Sequence, residues 1–121
     1  MHLYWVTTED HDEDWFVVAP DPYEATYFYE TFEGYNEGDA DSEWIMELPD
    51  ELVEEVGWAS HELLRSCGAQ FLREETPRVV ELADRKFCEG MLEYTLRKLE
   101  DDKFEAIGNG RPNRTDPGQD N

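Results

Sequence analysis

The feature that most constrains this chain is the absence of any Lys or Arg before Arg65. Residues 1–64 carry 19 Asp or Glu and no base, whereas residues 65–121 carry 12 acids and all 10 bases. Carboxylates held together in a folded domain repel one another, and salt screens that repulsion only beyond about 8 Å. A positively charged partner would relieve this cost. A halophilic surface, the simplest alternative, should spread its acids over the whole chain instead of collecting them in one half.

Length and composition limit the class of protein. The chain has 121 residues, which fits one domain with an ordinary hydrophobic core. Hydrophobic residues make up 39% and aromatics 13%, too much for an intrinsically disordered acidic chain. Because backbone contacts to nucleic acids depend on Lys and Arg, the scarcity of bases argues against direct nucleic-acid binding.

The first two predicted elements form a β-hairpin. Residues 3–8 and 15–19 are runs of β-branched and aromatic residues, and the six residues between them are acidic apart from His11. This pattern is typical of two strands joined by a polar loop.

A helix follows with clear signals at both ends. Asp21 is the predicted N-cap, Pro22 suits the first helical position, Glu24 lies three residues after the cap, and Gly34 predicts the end. One face of this helix is expected to be buried, and it comprises Ala25, Phe28, Tyr29 and Phe32. A loop over residues 35–43 and a strand over residues 44–48 complete a β-β-α-β unit.

The second half predicts short helices over residues 50–56 and 60–67, and strands over residues 69–73, 78–82 and 85–88. A final helix opens after Gly90, with an apolar stripe of Leu92, Leu96 and Leu99. The fold class predicted is therefore α+β, a mostly antiparallel sheet with helices packed on one side. We expect residues 1–107 to form the single domain and residues 108–121, rich in Gly, Pro and Asn, to form a flexible tail.

The cellular compartment is inferred from the absence of a targeting motif and from the two cysteines. The N-terminus lacks the basic and apolar regions of a signal peptide, and the longest apolar run, residues 15–19, is too short to span a bilayer. We therefore expect a cytoplasmic protein without a membrane partner. Cys67 and Cys88 could be two thiols or one bridge, and the missing export signal favours thiols.

Two acidic motifs stand out in the first half. Asp10, Asp12 and Asp14 repeat as the opening of a calcium loop, but Trp15 replaces the required Gly and Asp21 replaces the final Glu. An acidic solvated turn is the better interpretation, with weak divalent-cation binding as the alternative. The second motif places an acid at every second position, so an extended backbone would align the side chains roughly 6.5–7 Å apart. Its members are Glu37, Asp39, Asp41 and Glu43.

Eleven of the 16 aromatic residues lie in residues 1–44, among these acids. Tyr23 and Tyr27 form an i, i+4 pair beside the expected buried face, next to Glu24 and Glu30. Such tyrosines could flank the core or contact a partner, because their rings attract Arg and Lys. The sequence leaves both readings open.

Catalytic motifs are not found. His2, His11 and His61 lack metal-ligand spacing, and His61 and Cys67 would be turned about 240° apart on one helix. No glycine-rich phosphate loop, nucleophile elbow or zinc pattern is present. The sequence predicts a non-catalytic protein with no cofactor and no metal site.

These observations favour an acidic binding protein that docks its first half on a basic surface of a partner protein. The sharpest version is a nucleic-acid mimic or immunity-type inhibitor that blocks a nucleic-acid-binding protein. The alternatives are a small accessory subunit whose acidity serves solubility, or a divalent-cation binder. The residues expected to contact the partner are Asp10, Asp12, Asp14, Tyr23, Tyr27, Glu30, Glu37, Asp39, Asp41 and Glu43.

Overall fold

The computed structural model describes residues 1–52 and 55–109 and has the predicted α+β fold. Its strands are divided between two antiparallel sheets, with sheet orders β3-β1-β2-β4 and β5-β6-β7. The strands are β1 (His2–Thr8), β2 (Trp15–Ala19), β3 (Ala40–Glu47), β4 (Gly57–Trp58), β5 (Gln70–Arg73), β6 (Val79–Leu82) and β7 (Arg85–Cys88). The helices are α1 (Pro22–Glu33), α2 (His61–Ser66) and α3 (Leu92–Asn109), with a 3₁₀ turn at Asp50–Leu52.

The first sheet is covered on both faces, which explains why β1 and β2 are continuous apolar runs. Leu3 and Trp5 pack against residues of α2 and the second sheet, whereas Tyr4 and Val6 pack against α1. Side chains alternate along a strand, so both sets must be apolar to fill the two layers. The hairpin predicted from residues 3–19 is confirmed by its register, in which Val6 lies opposite Trp15.

The predicted end signals of α1 are also confirmed. The Asp21 side chain accepts a hydrogen bond from the Glu24 backbone N–H at 2.8 Å, and Pro22 opens the helix. Gly34 ends it with φ of +78°, and its N–H donates to the Glu30 carbonyl. Between these two ends, Ala25 and Tyr29 pack against the face of the first sheet that carries Tyr4 and Val6.

Several boundaries differ from the predicted ones. β3 begins at Ala40, inside the expected loop, because its first residues pair with the end of β1. Phe32 was expected in the buried face of α1 but is 65% exposed, because its ring is covered only in part, by Phe28 and by Trp58 of the edge strand β4. The helix predicted over residues 50–56 is described only as the 3₁₀ turn, and residues 53–54 lie outside the described part.

The second half follows the prediction more closely at α2 and at β5–β7. Ser60 caps α2 by accepting from the Leu63 N–H at 3.0 Å. The stripe predicted for α3 is buried only in part: Leu99 is buried, while Leu92 and Leu96 are exposed. Cys67 and Cys88 are both free thiols, and burial raises the pKa of each. Of the tail predicted over residues 108–121, residues 108 and 109 belong to α3, and residues 110–121 lie outside the described residues.

Candidate functional site: a tyrosine-lined acidic groove

A groove with a volume of about 520 Å³ runs between α1 and β3. Half of the residues predicted to contact a partner line it, and they come from the helix, from the turn before β3 and from β3 itself. These residues are Tyr23, Tyr27, Glu30, Glu37 and Asp41. The fold thus brings together side chains that are separated by up to 18 positions in the sequence.

Tyr23 and Tyr27 are exposed to solvent and do not flank the hydrophobic core. Tyr23 is 72% exposed and Tyr27 is 63% exposed, although both rings lie on an ordered helix. A helix repeats every 3.6 residues, so positions 23, 26, 27, 30 and 31 form one stripe, and all five line the groove. Two large rings are therefore presented to solvent beside carboxylates.

Glu30 has a structural function inside the groove wall. It is only 6% exposed, and its Oε2 accepts hydrogen bonds from the N–H groups of Gly38 at 3.0 Å and Ala40 at 3.1 Å. These bonds fix the turn that leads into β3. Glu30 therefore shapes the groove, and its carboxylate is not presented at the surface.

A second polar contact within the groove joins α1 to β3. The Thr26 and Ser42 hydroxyl oxygens lie 2.6 Å apart, and Thr26 also donates to the Pro22 carbonyl at 2.9 Å. These small polar residues were not selected from the sequence. The i, i+3, i+4 spacing from Tyr23 is the signal that could have identified Thr26.

The acids at residues 37–43 do not form one extended row. Glu37 and Asp39 lie in the turn before β3, where Asp39 accepts a hydrogen bond from the Asn36 N–H at 2.9 Å. Asp41 and Glu43 lie on the strand, and Glu43 pairs with Arg85, whose Nη2 lies 3.2 Å from Glu43 Oε1. The row is interrupted because the chain needs a turn to pass from α1 into β3.

The acids of the hairpin loop are also divided. Asp10 and Asp12 are exposed, whereas Asp14 is buried. Asp14 lies 2.7 Å from His11 Nδ1 and accepts from the Thr8 N–H, and burial raises the pKa of its carboxyl group. Asp14 thus stabilises the loop instead of facing solvent.

Charge compensation of the first half is sparse in the described part of the chain. Arg85 of the second half forms a salt bridge with Glu43 of the first half. The other salt bridges formed by arginines join residues that both lie in the second half. The asymmetry seen in the sequence therefore persists in the folded protein. Within residues 1–52 and 55–109, no group of three or more His, Cys, Asp or Glu side chains is arranged to hold a metal ion.

The comparisons give no relative for this chain: no family model, curated protein or solved structure matches it. Among the described helices, none combines the length and apolar character needed to cross a membrane. The fold and the groove define an α+β domain with an acidic, tyrosine-lined surface.

Proposed function

We propose that this protein is a non-catalytic binding protein that docks its acidic first half on a basic surface of a partner protein. The groove between α1 and β3 forms the central contact. The observation that carries the proposal is the pairing of exposed Tyr23 and Tyr27 with carboxylates, inside a segment of 19 acids and no base.

The chemistry of the groove suits Arg and Lys side chains. Tyrosine rings attract cations through their π faces and supply rigid contact area with few torsions to fix. Glu37 and Asp41 add charge at the same groove. Because the surrounding surface is also negative, a basic partner would be steered towards it, which increases the association rate more than the final affinity.

The sharpest version of the proposal is that the partner is a nucleic-acid-binding protein. A surface that evolved to meet phosphates is basic, and carboxylates placed there would occupy it in competition with DNA or RNA. The protein would then act as a mimic or as an immunity-type inhibitor. Direct binding of nucleic acid is disfavoured by the same charge.

The test is binding of an arginine-rich peptide, measured by calorimetry at several salt concentrations. We compare Tyr27→Ala/Glu37→Gln in the groove with Tyr94→Ala/Glu100→Gln on α3, since both pairs remove one exposed ring and one carboxylate. We expect the groove variant to lose about tenfold in affinity and the α3 variant less than about twofold. Equal losses in the two variants would show that bulk charge alone binds the peptide.

One observation favours the alternative, an accessory subunit that docks through its second half. Leu92, Tyr94 and Leu96 expose apolar surface on α3. In that case the α3 variant would lose affinity for the physiological partner, and the groove variant would keep it.

A further inference from the structure

A second cleft, with a volume of about 380 Å³, lies on the side of α1 that faces away from the groove. Phe32 of α1, Trp15 of β2 and Trp58 of β4 form its aromatic walls. The ring of Trp58 lies 6.1 Å from that of Phe32 and 6.4 Å from that of Trp15, in both cases steeply inclined. Phe32 is 65% exposed and Trp58 is 41% exposed, so these rings are incompletely covered by the domain.

One exposed carboxyl group lines this aromatic cleft, and a second lies beside its Trp15 wall. Glu33 lines it, and Glu13 lies beside Trp15, whose indole N–H donates to Glu13 Oε1 at 3.2 Å. Burial and the neighbouring Glu13 raise the pKa of Glu33. Glu13 therefore adds to the desolvation that disfavours the charged form of Glu33.

The end of α1 adds to the negative potential. Glu33 is the last residue of the helix, where the backbone carbonyls carry the negative end of the dipole. Helices usually place Lys or Arg in this turn, but the last turn of α1 contains no base. Among the described residues, no Lys or Arg forms a salt bridge with Glu13 or Glu33.

The floor of the cleft does not supply the missing charge. Arg78 lines it, but its Nε and Nη2 donate to the two oxygens of Glu89 at 2.8 and 2.6 Å. Nη2 also donates to the Ala59 carbonyl, and Nη1 lies 3.2 Å from His61 Nδ1. In this two-point geometry the positive charge of Arg78 is compensated by the buried carboxylate of Glu89. The floor of the cleft is therefore close to neutral.

We infer that this cleft binds the cationic side chain of an Arg or Lys carried by the basic partner, with its stem against Trp15, Trp58 and Phe32 and its charge against Glu33 and Glu13. The inference rests on the proposed function and adds a second contact to it, on the other side of α1. Aromatic walls and a carboxylate together attract a cation, whereas an apolar segment would leave the carboxylates without a partner.

The experiment titrates the full chain with N-acetylarginine amide and follows the Trp15 indole N–H signal by NMR, assigned with Trp15→Phe. N-acetylcitrulline amide, which has nearly the same shape and no charge, is the matched control ligand. We expect a saturable shift with a dissociation constant on the order of millimolar for arginine and no saturation for citrulline. Lysine amide acetylated at both its α-amine and its side-chain amine is neutral and should also fail, whereas lysine amide acetylated only at the α-amine keeps its side-chain charge and should bind.

Variants locate the binding site. Glu33→Gln should weaken binding of N-acetylarginine amide about fivefold or more, and Trp58→Ala should do the same. Glu100→Gln, which removes an exposed carboxylate from α3, should leave it unchanged. Equal binding of citrulline, or unchanged binding by Glu33→Gln, would overturn the inference.

The arginine-rich peptide separates this inference from the proposed function. If the peptide binds through the groove and neither it nor N-acetylarginine amide shifts the Trp15 indole signal, the inference fails and the proposed function stands. If the peptide does not bind, the proposed function fails. If N-acetylarginine amide shifts the Trp15 indole signal but the bound peptide does not, the cleft accepts a small cation and excludes the side chain of a larger partner. That result also overturns the inference as stated.

Discussion

Glu30 shows how one buried carboxylate can organise a surface. It lies on the exposed side of a helix by sequence, yet it is almost fully covered because two backbone N–H groups of the turn before β3 donate to it. Buried charges persist only when their hydrogen-bonding capacity is used, and here the turn uses it. The groove therefore depends on an acid that does not face solvent.

Replacing Glu30 by Ala should lower the free energy of unfolding by about 1–3 kcal/mol, because the Gly38 and Ala40 N–H groups lose their acceptor. Urea denaturation measures the change. Glu100→Ala, which removes an exposed carboxylate from α3, is the control and should change it by less than about 0.5 kcal/mol. Similar losses in both variants would contradict the assigned function of Glu30.

Glu33 should make stability depend on pH. Its pKa is raised above the ordinary 4.5, so folding favours the protonated form, and that contribution is present below pH 4.5 and lost as pH rises through the raised pKa. Glu13, which faces Glu33 from the hairpin loop, strengthens the effect. Glu33→Gln should therefore gain stability relative to the natural chain as the pH increases, measured by urea denaturation at several pH values. A constant difference would contradict this.

At the scale of elements, α1 serves two surfaces. Its Tyr23–Thr31 stripe lines the groove, and its end at Phe32 and Glu33 lines the aromatic cleft. Ala25 and Tyr29, between these faces, are fully buried against the first sheet. A rigid helix therefore fixes the relative positions of both candidate contacts.

The end of α1 can be tested with a pair of glycines. Gly34 has φ of +78° and Gly57 has no positive φ, and a Cβ at either would meet nothing within 4 Å. Gly34→Ala should therefore cost about 1 kcal/mol through backbone strain alone, and Gly57→Ala close to nothing or slightly stabilise the protein. Thermal or urea denaturation compares them, and equal effects would argue against the αL cap.

Local signals were enough to predict the hairpin, α1 and the turn between β6 and β7. Ala83 and Asp84 both have positive φ, as a tight two-residue hairpin requires. The early start of β3 and the two-residue β4 were not predictable, because they form by pairing with β1 and β2. Phe32 was misplaced because helical periodicity does not show that the short strand β4, through Trp58, covers only part of its ring.

The candidate site was predictable to a similar extent. The acids and tyrosines of the groove stand out in the sequence, but burial of Asp14 and Glu30 depends on backbone groups that only the fold brings near. The aromatic cleft could not be predicted, since Trp15, Phe32 and Trp58 come from three separate elements.

At the scale of the whole molecule, Arg78 joins the two sheets. It lies directly before β6, pairs with Glu89 after β7, and donates to the Ala59 carbonyl directly after β4. Glu89 has no solvent exposure, and it also accepts from the Arg78 backbone N–H at 3.0 Å. The ion pair thus fixes how the second sheet packs on the first.

Breaking this pair should be far more costly than breaking the exposed one. Glu89→Ala should lower the free energy of unfolding by about 3–5 kcal/mol, since it leaves the Arg78 charge buried without a partner. Glu43→Ala, which removes the exposed partner of Arg85, should cost less than about 1 kcal/mol. Urea denaturation of both variants checks the difference, and comparable losses would mean that Arg78 finds solvent when Glu89 is absent.

For the whole molecule, we expect the first half to present an organised site for cationic side chains and not merely diffuse negative charge. An arginine-rich peptide titrated into the isotope-labelled chain tests it most directly, with backbone amide shifts read residue by residue. We expect saturable shifts concentrated at Tyr23–Thr31 and Glu37–Ser42, with further shifts at Trp15, Phe32 and Glu33 where the aromatic cleft is also occupied, and with α3 nearly unaffected. Shifts spread evenly over all acidic surfaces, including α3, would contradict it.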